Sequence, residues 1–124
     1  MQTRGIRGAT TITTDTKETV LSATRELLDA ILAANPDLKT DAIASVLFTT
    51  TEDIASAYPA LAARQIGWDQ VPMMCAREIP VPGGLPMCIR VLIHWNTDKK
   101  QSEIQHVYLR EAVKLRPDIV NQKS

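Results

Sequence analysis

The stretch Cys88-Ile89-Arg90-Val91-Leu92-Ile93-His94-Trp95 decides the fold. Its β-branched and aromatic residues, bounded by Gly83-Gly84 before and Asn96-Thr97-Asp98 after, mark a strand. Apolar side chains fall on both of its faces, the pattern of a strand buried inside a sheet. Arg90 nevertheless stands near its middle, on the face shared by Cys88, Leu92 and His94. A guanidinium cannot shed its charge, so a buried Arg90 is expected to need a negative partner.

Working outward, VPMMCAR at about 71–77 reads as the preceding strand, and VPGGLP as the sharp turn between the two. AIASVLFTT, about 42–50, is apolar on both faces and belongs inside the same sheet. RGIRGATTI predicts a first strand at about 2–12. After it, Asp15 is placed to cap a new helix, with Glu18 three residues on reaching back. Val20, Leu21, Thr24, Leu27, Leu28, Ile31 and Leu32 recur at helical spacing, and Arg25 and Asp29 pair on the wet face. Asn35-Pro36 stops that helix, because proline disfavours helical geometry in the residue before it.

Thr51 followed by Glu52 and Asp53 predicts another helix start, with acidic residues at the positive end. Pro59 permits a turn or a fresh helix start at ALAARQ, a helix that Gly67 can end in a left-handed conformation. DKKQSE supplies a polar connection with a short helix, and residues 106–109 alternate as a short strand. The order βαβαβββ describes one α/β domain over 1–124, a mixed sheet packed against helices. The tail NQKS is expected to be loose.

Composition narrows the function by exclusion. The chain has 124 residues, the size of one domain, with 44% hydrophobic and 23% charged residues, as in soluble globular proteins. Lysine plus arginine balances aspartate plus glutamate at 14 each, which argues against a nucleic-acid partner. No apolar run approaches membrane-spanning length and MQTRGIRG lacks a signal peptide's hydrophobic region, so no membrane is expected and the cytoplasm is. There Cys75 and Cys88 are expected as free thiols. Without C-x-x-C, and with His94 and His106 lacking a ligand at useful spacing, no metal site is expected. The glycines of RGIRG and PGG match no phosphate loop, and no serine stands in a G-x-S-x-G elbow.

What remains is a set of charged and hydrogen-bonding residues in unusual places. Arg7 lies in a glycine-flanked strand, Arg90 in a buried one, and Glu78 where a strand reaches its turn. Arg64 follows the alanine-rich helix, and Tyr108 and Arg116 stand in the C-terminal segment. Taken singly, Arg7, Arg64 and Arg116 read as solvated or structurally paired, and Arg90 with Glu78 as a structural ion pair. Tyr108 reads as a core residue with its hydroxyl at the rim, and the cysteines as packing residues. Together, arginines, a glutamate and a tyrosine suit an anionic small molecule whose charge shifts during reaction.

Four blocks then carry a resemblance. RGIRGATT at the start, GW..VP..C..E from Gly67 to Glu78, GGL..CIRV at 83–91 and HVYL..AV.LRPD at 106–118 resemble chorismate mutases of the small trimeric AroH class, in order and across nearly the whole chain. The resemblance implies a homotrimer whose mixed sheets form a barrel-like centre, a pseudo α/β-barrel, with active sites in clefts between subunits. It implies rearrangement of chorismate to prephenate in phenylalanine and tyrosine biosynthesis, with no cofactor. By the same resemblance Arg90 meets the ether oxygen, Arg7 grips a carboxylate with Tyr108 nearby, and Glu78 and Cys75 receive the ring hydroxyl. Arg64 and Arg116 lie near the mouth, Tyr58 and Leu115 are apolar walls, and Met74 is a further contact. Two positions depart from the family's habit: Leu61 stands where lysine is common, and Met74 where a small hydroxyl residue is. The rival reading is a non-catalytic trimer that binds an anionic aromatic metabolite, since a fold alone does not dictate function.

Overall fold

A computed structural model describes residues 1–115. Its elements are β1 (Gln2–Thr11), α1 (Lys17–Ala34), β2 (Ile43–Thr50), α2 (Pro59–Gln65), β3 (Met73–Arg77), β4 (Cys88–Thr97) and β5 (Val107–Tyr108). Short 3-10 turns at Thr40–Ala42 and Gln101–Glu103 lie in two of the connections, and a third at Arg110–Leu115 follows β5. The expected order of strands and helices is therefore the observed one. Arg116 and the tail NQKS lie outside the described residues.

The five strands form one mixed sheet in the order β3-β2-β4-β1-β5. Strand β4 pairs antiparallel with both β1 and β2, over registers running from Thr11↔Cys88 to Gln2↔Thr97 and from Thr50↔Ile89 to Ile43↔Trp95. The outer strands β3 and β5 add in parallel. The CIRVLIHW run thus lies at the centre of the sheet, as its two apolar faces require.

Among the described residues, α1 and α2 pack on one face of the sheet. On that side Ile89, Val91, Ile93 and Trp95 of β4 are buried, with Ile6 of β1 and Phe48 of β2. The α1 stripe of Val20, Leu27, Leu28 and Ile31 packs onto them and is buried at every position. Truncating one such leucine to alanine costs about 2–5 kcal/mol, through lost burial and the cavity left behind. Gly8 lets the helix come this close: a Cβ there would lie 2.8 Å from Ile31 Cδ1 and 3.1 Å from Val91 Cγ1. The second glycine of RGIRG is a packing device, fixing α1 against the strand that carries Arg7.

The opposite face carries Arg90, Leu92 and His94, and here the expectation for Arg90 fails. Its side chain is 44% exposed. The alternating pattern sends the odd-numbered residues of β4 under the helices and Arg90 to the helix-free side. Cover on that side comes from the C-terminal segment, where Ala112 packs against Ala9 and Cys88 with Tyr108 and Leu115 around them.

Two local expectations are also corrected. Thr16, not Asp15, caps α1: its hydroxyl accepts from the Thr19 N–H at 3.1 Å. Asp15 instead reaches the loop after β2, accepting from the N–H groups of Ala55 and Ser56 and from the Ser56 hydroxyl. No helix starts at Thr51. Asp53 accepts from the Met87 N–H and the Thr51 hydroxyl, and Arg77 donates to the carbonyls of Thr51 and Ile54. Asp53 and the Thr51 hydroxyl, which resemble a helix start, are engaged by the backbone of Met87 and Cys88, so the segment stays a turn. Helix α2 does begin at Pro59, and Gly67 follows it at φ +95°.

Candidate active site

The register of the sheet lines up the site. Across the helix-free face, Ala9 of β1 lies opposite Arg90 of β4, Arg90 opposite Thr49 of β2, and Thr49 opposite Ala76 of β3. The next row runs Arg7, Leu92, Leu47, Met74. Small residues at 9 and 76 leave the Arg90 and Thr49 side chains room above the sheet. Arg7, Thr49, Arg90, Tyr108 and Leu115 line one hollow of about 190 Å³.

Glu78 comes to this row from the end of β3. The strand ends at Arg77, and the Glu78 N–H still donates to the Thr50 carbonyl at 2.9 Å, which holds the residue beside β2. Its carboxylate accepts from the Thr49 hydroxyl and stands 3.5 Å from Arg90 Nε. The Glu78 side chain is only 23% exposed; Arg90 lines this hollow, and Glu78 reaches it from outside the lining, facing another hollow with Thr51, Asp53 and Pro80. Arg90 therefore has the negative neighbour that its charge was expected to require. Beside it, burial pushes the Cys88 thiol above its ordinary range, with Arg90 acting in the opposite sense.

The other candidates do not gather here. Cys75 lies opposite Phe48 in the β2–β3 register, on the helix side, and lines a second hollow of about 580 Å³ with Tyr58 and Leu61. Cys75 and Glu78 thus emerge on opposite faces, as strand alternation requires. Tyr58 is 73% exposed at the entry to α2, and Arg64 is exposed in its last turn. Met74 shares a row with Arg7 but stands three strands away, roughly 14 Å at ordinary strand spacing. Within one chain the candidates form two half-sites: Arg7, Glu78, Arg90, Tyr108 and Leu115 in one, Tyr58, Leu61 and Cys75 in the other.

Thr49 was not foreseen. Only the register that sets it against Arg90 distinguishes it from the other threonines of AIASVLFTT. Cys75 and Cys88 are free thiols. Among the described residues no helix is long and apolar enough to cross a membrane.

Comparison with known proteins places the chain in a family. Residues 3–119 match the family model described as chorismate mutase type I. The chain is 59% identical over 116 residues to the chorismate mutase AroH of Thermus thermophilus, covering 94% of this chain and 95% of that protein. It is 44% identical over 120 residues to the chorismate mutase AroH of Bacillus subtilis strain 168, covering 96% and 94%. A solved chorismate mutase from Clostridium thermocellum superposes with a TM-score of 0.86 at 45% identity, over 89% of this chain and 97% of that one.

Proposed function

Because this chain belongs to the type I chorismate mutase family, we propose that the Arg90 hollow is where it rearranges its substrate. The chain is a chorismate mutase, an isomerase that converts chorismate to prephenate. The observation that carries the assignment of the site is Arg90, paired with Glu78, in a hollow that it lines together with Arg7 and Tyr108.

The reaction is intramolecular and pericyclic: one carbon–oxygen bond breaks while a carbon–carbon bond forms. It needs no proton donor, nucleophile or cofactor. As the ether bond stretches, its oxygen gains negative charge and the ring becomes positive. A fixed guanidinium beside that oxygen binds the transition state more tightly than the ground state, the condition for catalysis. Arg90 has that role, and Glu78 orients it. Glu78 also accepts from the ring hydroxyl and faces the positive ring. Arg7 grips a carboxylate with Tyr108 beside it, Leu115 closes the apolar wall, and binding holds the flexible substrate in its compact reactive conformer.

A second copy of the chain completes each cleft, in a homotrimer. The half-site of Tyr58, Leu61 and Cys75 lines a different hollow from Arg90, and exposed Tyr58, Arg64 and Met74 are left for a partner to cover. Leu61 leaves the rim one cation short of the family's habit, which weakens capture of a dianion more than chemistry. The whole chain acts as one domain, in the cytoplasm. The assay is spectroscopic: purified protein added to chorismate accelerates loss of its conjugated-diene absorbance. Disappearance at the spontaneous rate overturns the reading.

A further inference from the structure

The segment that carries Tyr108 is joined to β1 by only two paired residues, Gly8 with Val107 and Ala9 with Tyr108. So short a strand specifies its register weakly. Side chains lengthen the ladder. At Gly5 the Gln101 amide donates to the carbonyl at 2.7 Å and accepts from the N–H at 3.0 Å. At Arg7 the backbone N–H donates to His106 Nδ1 at 2.9 Å. At Ala9 the carbonyl accepts from the Leu109 N–H at 2.9 Å. Residues 5, 7 and 9 of a strand turn their backbone groups to the same edge. Gln101 and His106 therefore occupy two places that a longer β5 would fill with backbone. From the other side, Asn35 at the end of α1 exchanges hydrogen bonds with the backbone N–H and carbonyl of Gln105, each 3.0 Å.

We propose that His106 is a positioning residue for the carboxylate-binding end of the site, setting the register between Arg7 and Tyr108. The inference rests on the reading of those two residues as substrate ligands. The imidazole bonds the backbone of Arg7, and its own backbone precedes Tyr108 by two residues, so one ring ties both ligands together. Accepting at Nδ1 fixes the tautomer with the proton on Nε2. Without the acceptor, the Arg7 N–H loses its partner and the Tyr108 segment loses a tether just before its two-residue ladder. Neither change touches the charge of Arg90. The loss falls on substrate binding, which ground state and transition state share, and not on turnover.

Side-chain reach separates this role from simple packing. Asparagine brings its Oδ1 to about the place of Nδ1, whereas the acceptor of glutamine lies one bond farther out. The test is steady-state kinetics on His106→Ala, His106→Asn and His106→Gln, with Arg7→Ala as the control. In parallel, nitrogen-15 NMR of the wild-type protein measures the coupling across the hydrogen bond between the Arg7 amide and His106 Nδ1. The coupling is expected to be present. KM is expected to rise about tenfold in His106→Ala with kcat within about twofold, the loss of one hydrogen bond. His106→Asn is expected to restore KM and His106→Gln is not; if His106→Ala fails to fold, this contrast alone decides. A raised KM in Arg7→Ala beside an unchanged one in His106→Ala overturns the inference alone, as does equal behaviour of the asparagine and glutamine variants or absence of the coupling. An unchanged KM in Arg7→Ala overturns the reading of the site, and this inference with it.

Discussion

The Nε of Arg90 and the Oε2 of Glu78 lie 3.5 Å apart, on either side of strand β2, whose Thr49 donates its hydroxyl to the same carboxylate oxygen. The arrangement is a support for a cation. Glu78 engages the guanidinium at its inner nitrogen and orients its plane, and Thr49 holds the carboxylate. A rigid cation gains most from charge that appears only as a bond breaks, because no reorganisation is spent at that moment.

Thr49→Val removes the hydroxyl and leaves the shape of the side chain. The expected result is a fall in kcat/KM of roughly 5- to 10-fold, the loss of one hydrogen bond of about 1 kcal/mol to the orienting carboxylate. Thr49→Ser keeps the hydroxyl and is expected to stay near wild type. Steady-state assays on chorismate measure both.

Asp15 makes stability depend on pH. Its carboxyl is held below the ordinary value of 3.8, first by the Ser56 hydroxyl and then by the Ala55 N–H. A carboxyl depressed in the folded state contributes stability that is whole above its unfolded pKa and is lost as pH falls through the folded one. Asp15→Asn is therefore expected to lower Tm near neutral pH, and the gap from wild type to close in acid below about 3.8. Thermal unfolding followed from pH 6 downward, roughly two units to either side of that value, measures the gap. A gap that is constant with pH contradicts the assignment.

The division into two half-sites predicts complementation. In the proposed homotrimer, Arg90→Ala damages one half of each cleft and the double variant Tyr58→Ala with Arg64→Ala the other, so neither pure assembly has an intact site. Trimers reassembled from an equal mixture are expected to recover about a quarter of wild-type activity, since each cleft then has one chance in four of drawing two good halves. No recovery on mixing contradicts sites built from two copies.

How much of this could be read beforehand follows from the physics of each element. Helix α1 was legible because its apolar stripe and proline stop are local signals, although the cap moved by one residue to Thr16. Strand β4 was legible from its composition, but its apolar composition on both faces led to the wrong burial for Arg90. Such a pattern says that both faces meet cover, and within one chain the helices cover one. The false helix at Thr51 arose because a capping acid and a tertiary acceptor look alike in sequence, and Asp53 is the latter. The Arg90–Glu78 partnership was foreseen as a pairing of charges. The place of Thr49 beside Arg90 emerges only from the register of strands distant in sequence, whereas the opposite facing of Cys75 and Glu78 follows from alternation along one strand.

Turnover of Arg90→Lys tests the central claim most directly. Lysine keeps a positive charge and gives up the planar fork and the contact that Glu78 orients. If Arg90 stabilises the breaking ether bond, kcat falls by about 10²- to 10³-fold or more, the effect of losing a preorganised donor, with KM changing far less. A lysine variant that turns chorismate over at close to the wild-type rate contradicts the account.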